Sequence, residues 1–350
     1  GSNVAVGYRA LYENINGSSS VAIGTEALRD QNPASDLNSY NTAVGHQAGL
    51  LVTTGVNNTL VGALSGDALT TGGTNTLVGA QAGTSLQGGS KNVAVGYKAL
   101  KTEDGHGNNV AIGYQALESQ NAGDDALNIA IGYNAGNSVS TGILNTIIGG
   151  SAGESLTSGA RNVLIGVRAG DALTDGNYNV AIGYQALTDD DQGEYNTAVG
   201  YFALENFDGG DGAGYNTCFG AIAGRYISTG QYNVAVGSNT IGSGTTTGSY
   251  NTAVGHFAGY DLTSGSENVF IGSFAGDNIS AGIRNVAIGY SALGAENDHG
   301  LNVAIGHQAL KNQDAGTNAY NVAVGYDAGL SVTTGTQNTI IGGLAGDALT

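Results

Sequence analysis

One five-residue phrase, Asn-x-x-x-Gly, recurs along the whole chain of 350 residues. Counting one copy that opens with Ser20, it starts at positions 3, 20, 41, 58, 75, 92, 109, 128, 145, 162, 179, 196, 216, 233, 251, 268, 285, 302, 321 and 338. Fourteen of the nineteen intervals are 17 residues, and the others are 18, 19, 19, 20 and 21. A fixed period in this range means stacked structural units, each packed on its neighbours. The repeat runs through residues 1–350, so the expectation is one continuous array without separate domains. Both ends cut through the pattern, as in a fragment of a longer fibre.

Numbered from its Asn, the repeat has columns with distinct chemistry. Position 2 is Val, Thr or Ile and position 4 is Val, Ile or Phe, the signature of a short strand. Position 5 is Gly in all twenty copies, where the backbone needs positive φ or a close approach. Seventeen residues leave room for two short strands and two corners. The expected fold is therefore all-β, a parallel β-solenoid or β-roll of about twenty 17-residue turns. Asn at equivalent corners of stacked turns is suited to an amide ladder along the axis.

Two exchanges describe the expected core. Eleven copies read Ala/Ser-Gly at positions 8 and 9 with an aliphatic residue at 12, as in Gly49 and Val52. Eight copies read Ala-Leu, and seven of these carry a polar residue at 12, Phe207 being the exception. Leu at 9 and the aliphatic residue at 12 thus read as alternative plugs for one interior site. Position 6 is Tyr or His only where position 3 is Ala, as in Ala111 and Tyr114; Leu77 goes with Ala80. Positions 3 and 6 are accordingly expected to share space across the Gly corner. Blocks of two Ala-Leu turns and three Ala-Gly turns open at 3, 92 and 179 and restart at 285; four of the five length exceptions follow a second Ala-Leu turn.

Positions 2 and 4 of a strand point one way and position 3 the other, and both sets are apolar. One face fills the solenoid; the other forms a stripe on the order of 95 Å long that needs cover. Three chains around a common axis would hide it; the alternative is a monomer whose second half folds over the stripe. "NVAIGYQAL", "NTAVGHQAG" and "SVAIGTEAL" closely resemble the head repeats of trimeric autotransporter adhesins and similar repeats of phage tail-fibre proteins. The resemblance spans all twenty copies and implies left-handed parallel β-rolls, three chains to a head. The period here is longer than the common adhesin repeat, and no neck, stalk or anchor sequence is present.

Function classes narrow further with charge and chemistry. A net charge of −18 makes nucleic acid and anionic membranes poor partners, and no apolar run approaches the ~18 residues of a membrane span. His46, His256 and His307 occupy the Tyr column, while His106 and His299 lie in loops with no Cys or second His nearby, so no His metal site is expected. Cys218, the only cysteine, stands in a packing column. "GSGTTTG" at 242 lacks the lysine and spacing of a P-loop, and no enzyme is expected. The loops "TDDDQGE" and "ENFDGGDGAG" should stack, bringing Asp189, Asp190, Asp191, Asp208 and Asp211 together as a candidate calcium site; otherwise they form a solvated acidic patch. The expected function is a structural segment of an extracellular trimeric fibre or adhesin, on a cell or virion surface. Its loops would meet other cells, glycans or further fibre subunits. A phage tail-fibre shaft and a ligand- or ice-binding solenoid are the alternatives; Thr recurs at position 2, a column that reads as interior, which disfavours ice binding.

Overall fold

Each copy of the phrase forms a three-residue strand at positions 2 to 4, Val110–Ile112 and Ile129–Ile131 being successive examples. The computed structural model describes residues 2–35, 37–210 and 212–349. Neighbouring strands are parallel and pair column on column, Val110 with Ile129, Ala111 with Ala130 and Ile112 with Ile131. The result is an all-β parallel β-solenoid of about twenty turns, in two compact units, Gly1–Asn177 and Tyr178–Thr350. The same turn architecture builds both. No helix among the described residues is long and apolar enough to cross a membrane.

Among the described residues, most turns lack the expected second strand. Positions 7 and 9 and the last residue of the turn adopt left-handed backbone in most turns, for example Gln115 (φ 54°), Leu117 (φ 49°) and Leu127 (φ 54°), which breaks any extended run. Hydrogen bonding between turns continues nonetheless: the Leu100 N–H donates to the Ala116 carbonyl at 3.0 Å and the Thr102 N–H to Glu118 at 3.0 Å. The far wall is a stack of turns rather than a second sheet, apart from a two-residue pairing of Gly17–Ser18 with Leu37–Asn38 and two isolated bridges.

Glycine at position 5 answers to two demands at once. Its φ lies between 127° and 144° in every turn, a region L side chains rarely enter. A Cβ on Gly62 would also stand 2.5 Å from the carbonyl oxygen of Gly79 in the next turn. The backbones meet there directly. One residue past the opposite corner, the buried Asn column holds the register. The Asn41 Oδ1 accepts the Asn58 N–H at 2.9 Å, and the Asn58 Nδ2 donates to the Gly72 carbonyl at 3.0 Å. The same pair of bonds recurs at Asn75, with 3.0 and 2.8 Å. This is the expected amide ladder, bonding through the backbone N–H of the next turn.

Position 3 faces the core and positions 2 and 4 face out. Ala111, Ala130, Leu60 and Phe270 are wholly buried, whereas Thr59 and Thr76 at position 2 are exposed. The threonine column is therefore on the outer surface, contrary to the interior reading. Position 6 lies outside too, with Tyr114 43% exposed, so it shares no space with Ala111.

The partner of position 3 is position 9. A Cβ on Gly66 would lie 2.9 Å from a Leu77 methyl and 3.2 Å from a Leu60 methyl, the position-3 residues of the next turn and its own. On Gly153 it would lie 2.8 Å from Leu164, and on Gly276 2.5 Å from the Phe270 ring. A rule follows without exception in the sequence: Leu, Ile or Phe stands at position 3 only where position 9 is Gly in both its own and the preceding turn. Ala43, Ala130, Ala253 and Ala323 have Gly at their own position 9, but Leu or Ile one turn earlier. The correlation with position 6 arises because both columns follow the block rhythm, one inside and one outside.

Position 12 plugs the same interior, as expected: Val52 and Leu28 both lie within 3.2 Å of where a Gly49 Cβ would stand. The polar residues at 12 in Ala-Leu turns also point inward, which the sequence did not suggest. Gln31, Gln120 and Gln313 are fully buried, and their Oε1 atoms accept the next Asn Nδ2 at 2.9, 2.7 and 2.6 Å. Phe207 is fully buried as well, so its ring anchors the loop that follows it.

Overpacking tests the position 3–9 pairing. Ala130→Leu should destabilise the protein by ~1–3 kcal/mol, because Leu117 blocks the space. Adding Leu117→Gly should recover part of that loss, since glycine also suits the left-handed backbone at 117. Tyr133→Ala should not recover it. Denaturant midpoints of the single and double variants measure the coupling.

Candidate functional site

Two features remain once packing is accounted for: the outer sheet face and a pair of corner clusters. The outer face is built from positions 2 and 4 of the strands with the position-6 side chains beside them. Asp, Glu, Lys and Arg are absent from all three columns in all twenty turns, although the chain carries 38 such residues. Rings at position 6 in consecutive turns stack, Tyr97 on Tyr114 at 5.4 Å and Tyr114 on Tyr133 at 5.3 Å. In the second unit Tyr290, His307 and Tyr326 do the same at 5.5 and 4.9 Å. A second ladder flanks the other side of the strand there: Tyr178, Tyr195, Tyr215, Tyr232 and Tyr250, with centroids 4.8 to 5.0 Å apart. The parallel register places each ring one strand spacing from the next, within the range of offset stacking. In each unit the result is an apolar and aromatic surface that carries no Asp, Glu, Lys or Arg at positions 2, 4 and 6.

The corner clusters centre on positions 12 and 15 of the turns opening at 92 and 285, each joined by an Asp at position 13, of the same turn in the first and of the next turn in the second. Glu103, Asp104 and His106 bring one ligand-type atom each within 4.8 Å of one another, and so do Glu296, His299 and Asp314. His106 Nδ1 is 3.6 Å from Glu103 Oε1, and His299 Nδ1 is 3.6 Å from Glu296 Oε1. Both glutamates are fully buried, and burial pushes both carboxyl groups above their ordinary range. Neither histidine has a Cys or a second His beside it, but each has carboxylates close by. The signal of this pairing was present in the sequence as Glu-x-x-His-Gly, at 103–107 and 296–300. Neither a Cys nor a second His is needed when carboxylates supply the remaining ligands.

The residues of the predicted calcium set differ in burial. Asp190 occupies the inward position 12 and is fully buried; its Oδ1 accepts the Gly193 N–H at 2.8 Å and its Oδ2 the Asn196 Nδ2 at 3.4 Å. Asp189, Asp191 and Asp208 are exposed, and Asp211 lies outside the described residues. The backbone N–H groups of Asp189 and Asp208 bond onward to Glu205 and Ser228. Asp191 and Asp208 are near enough to act electrostatically on Asp190. Desolvation is the main cause that pushes the Asp190 carboxyl up to about 7; the Gly193 N–H opposes it and the two neighbouring carboxylates add to it. Cys218 is buried, and burial pushes its thiol well above the ordinary range, as befits a packing residue.

Compared with known proteins, the chain matches no family model and has no significant match among curated proteins.

The buried Asp190 gives a pH dependence of defined sign. Its folded-state value lies above the unfolded one, so its contribution favours the folded state below the unfolded value, about pH 4. That contribution is lost as pH rises through about 7. Asp190→Asn should leave stability nearly unchanged near pH 4 and raise it near pH 8, by up to about 4 kcal/mol. Urea unfolding of both proteins at the two pH values measures it; equal stability at the higher pH would contradict the burial argument.

Proposed function

We propose that the chain is a structural segment of a trimeric fibre, three copies packing their outer sheet faces about a common axis, displayed outside a cell or on a virion. The observation that carries this reading is the outer face, apolar at positions 2 and 4 and free of Asp, Glu, Lys and Arg at positions 2, 4 and 6 in every turn. In the single chain the interior is already filled by positions 3, 8, 9 and 12, so this surface has no task in the fold of one copy. Exposed apolar surface of such extent marks an interaction site. A chain of net charge −18 repels its own copies wherever acidic groups approach, and the outer face is where they do not. A partner with the same periodicity matches it best, because every turn presents equivalent side chains at one strand spacing. The resemblance of "NVAIGYQAL" and its variants to the head repeats of trimeric adhesins supports the number three and the extracellular setting.

One observation favours a second reading. Thr42, Thr59 and Thr76 stand in consecutive turns on the outer face, Thr59 and Thr76 exposed, so an ice-binding threonine ladder has the right orientation over a short stretch. Its neighbours in the column are Val21 and Val93, which limits the ladder to those three turns.

Sedimentation equilibrium decides between them. Under the fibre reading the mass is three times that of the chain and stable on dilution. Ile112→Lys and Ile182→Lys, both pointing away from the interior, should then give monomers with unchanged β-sheet circular dichroism. A monomeric mass for the unmodified chain across dilution overturns the reading. Ice-recrystallisation inhibition by that monomer, lost in Thr59→Lys, would put the ice-binding reading in its place.

A further inference from the structure

The two Glu-x-x-His corners hold buried polar atoms that the fold leaves unmet. In the first, Glu103 Oε2, His106 Nδ1 and Asn109 Nδ2 are buried without a hydrogen-bond partner. In the second the same set returns: both carboxylate oxygens of Glu296, His299 Nδ1 and Asn302 Nδ2. Buried carboxylate oxygens and imidazole nitrogens without a partner are costly, so finding them twice, at the same columns of two different blocks, points to a ligand. The remaining block-opening corners show that the position does not demand this. Where position 15 is Gly the side chain at 12 closes on the backbone, as Asn14 does with the Gly17 N–H at 2.9 Å and Asp190 with Gly193 at 2.8 Å. Glu103 also takes the position-15 N–H, from His106 at 3.2 Å, but its second oxygen and the His106 Nδ1 stay without a partner.

The asparagines are part of the same arrangement. In most other turns the ladder Asn donates its Nδ2 to the carbonyl at position 15 of its own turn, as Asn92 does to His106 at 3.1 Å and Asn285 to His299 at 3.1 Å. The turns opening at 109 and 302 are each 19 residues long, and in both the Nδ2 has no partner. Each unmet N–H thus belongs to the turn stacked directly after a Glu-x-x-His corner.

We propose that Glu296, His299 and Asp314 bind one divalent first-row transition-metal ion of the Zn²⁺ class, and that Glu103, Asp104 and His106 bind a second. The donor set is one imidazole nitrogen and two carboxylate oxygens, which suits zinc and its neighbours; calcium takes six to eight oxygens and disfavours nitrogen. Ligands ~2.0–2.1 Å from a tetrahedral ion lie roughly 3.3 Å from one another. The Glu–His separation of 3.6 Å in both corners is close to that value. The third carboxylate comes from an exposed or half-buried residue in each case, free to adjust its rotamer onto the ion. Asp314 also lines a concavity of about 590 Å³ with Ser243, Asp261, Asn278, Ser280 and Asn297, which gives an ion a polar route from solvent. A water completing the coordination would offer its oxygen to the Asn302 or Asn109 N–H. Bound metal ties position 12 to position 15 across the corner and, through Asp314, one turn to the next.

Calorimetric titration of Zn²⁺, and separately Co²⁺, into the chelator-treated full chain tests this. Two equivalents per chain are expected, one after His299→Gln and none after His106→Gln is added; Ca²⁺ under the same conditions should give no heat. Melting temperature should rise with Zn²⁺ in the unmodified chain and lose that rise in the double variant. Absence of Zn²⁺ binding below millimolar concentration overturns the assignment and leaves two Glu–His ion pairs. Two equivalents persisting in the double variant overturn it as well, placing the metal on surface carboxylates. Should a variant fail to fold, the Co²⁺ spectrum of the unmodified chain decides: intense four-coordinate bands with imidazole ligation support the site, and a weak all-oxygen octahedral spectrum overturns it.

Discussion

Direct contact between backbones at the glycine corner governs the rest of this molecule. At position 5 each turn leaves no room for even one Cβ against the carbonyl of the next, as the Gly62–Gly79 contact shows. The buried Asn side chains then bond the following turn's N–H and lock the vertical register, Asn41 to Asn58 and Asn58 to Asn75. With both ends of the strand held this way, equivalent side chains stand one strand spacing apart. Every residue is therefore judged against its counterparts in the turns above and below as much as against its own turn.

Core composition follows from that stacking. A Leu side chain at position 9 reaches the space of position 3 in its own turn and the next, which is why Ala130 stays small after Leu117 although Gly136 stands beside it. Where position 9 is Gly in two successive turns, Leu60, Ile147 or Phe270 fills the vacancy. Conservation of interior volume is shared across turns, as close packing requires. Polar groups obey the same geometry: Gln31, Gln120 and Gln313 turn inward because the next Asn carboxamide is there to meet them. Glu103 and Glu296 turn inward on the same path, and there carboxylate oxygens, the histidine Nδ1 and the next Asn Nδ2 stay without a partner.

Outside, the same register makes ladders. Tyr97, Tyr114 and Tyr133 stack because their strands pair column on column, and the rings need no further design. Charge lies off positions 2, 4 and 6: Lys98 and Lys101 approach Glu118, Arg225 approaches Glu205, and Arg284 pairs with Glu267 beside the strands. Surface pairs of this kind contribute little to stability, but their placement leaves those three columns free of Asp, Glu, Lys and Arg over every turn. The molecule thus separates a self-sufficient interior from a surface built for contact.

The sequence by itself determined the period, the strand at positions 2 to 4, the glycine corner, the amide ladder and the interior role of positions 9 and 12. Each of these rests on residue types whose local physics admits few readings: Gly for positive φ, Asn for a ladder, alternating β-branched residues for a strand. Which face of the strand turned inward was not decided there. Positions 2, 3 and 4 are all apolar, and alternation fixes opposition between them without assigning a side. Only the tertiary structure shows Ala111 inside and Thr59 outside, because the φ of the glycine corner sets the direction in which the chain bends. That one assignment moved the threonines and tyrosines to the surface and separated Tyr114 from Ala111. The site chemistry was hidden for a related reason. Asp190, Glu103 and Glu296 look like loop carboxylates in the sequence, and their burial depends on position 12 lying inside the corner, a fact of the closed turn that no stretch of residues carries alone.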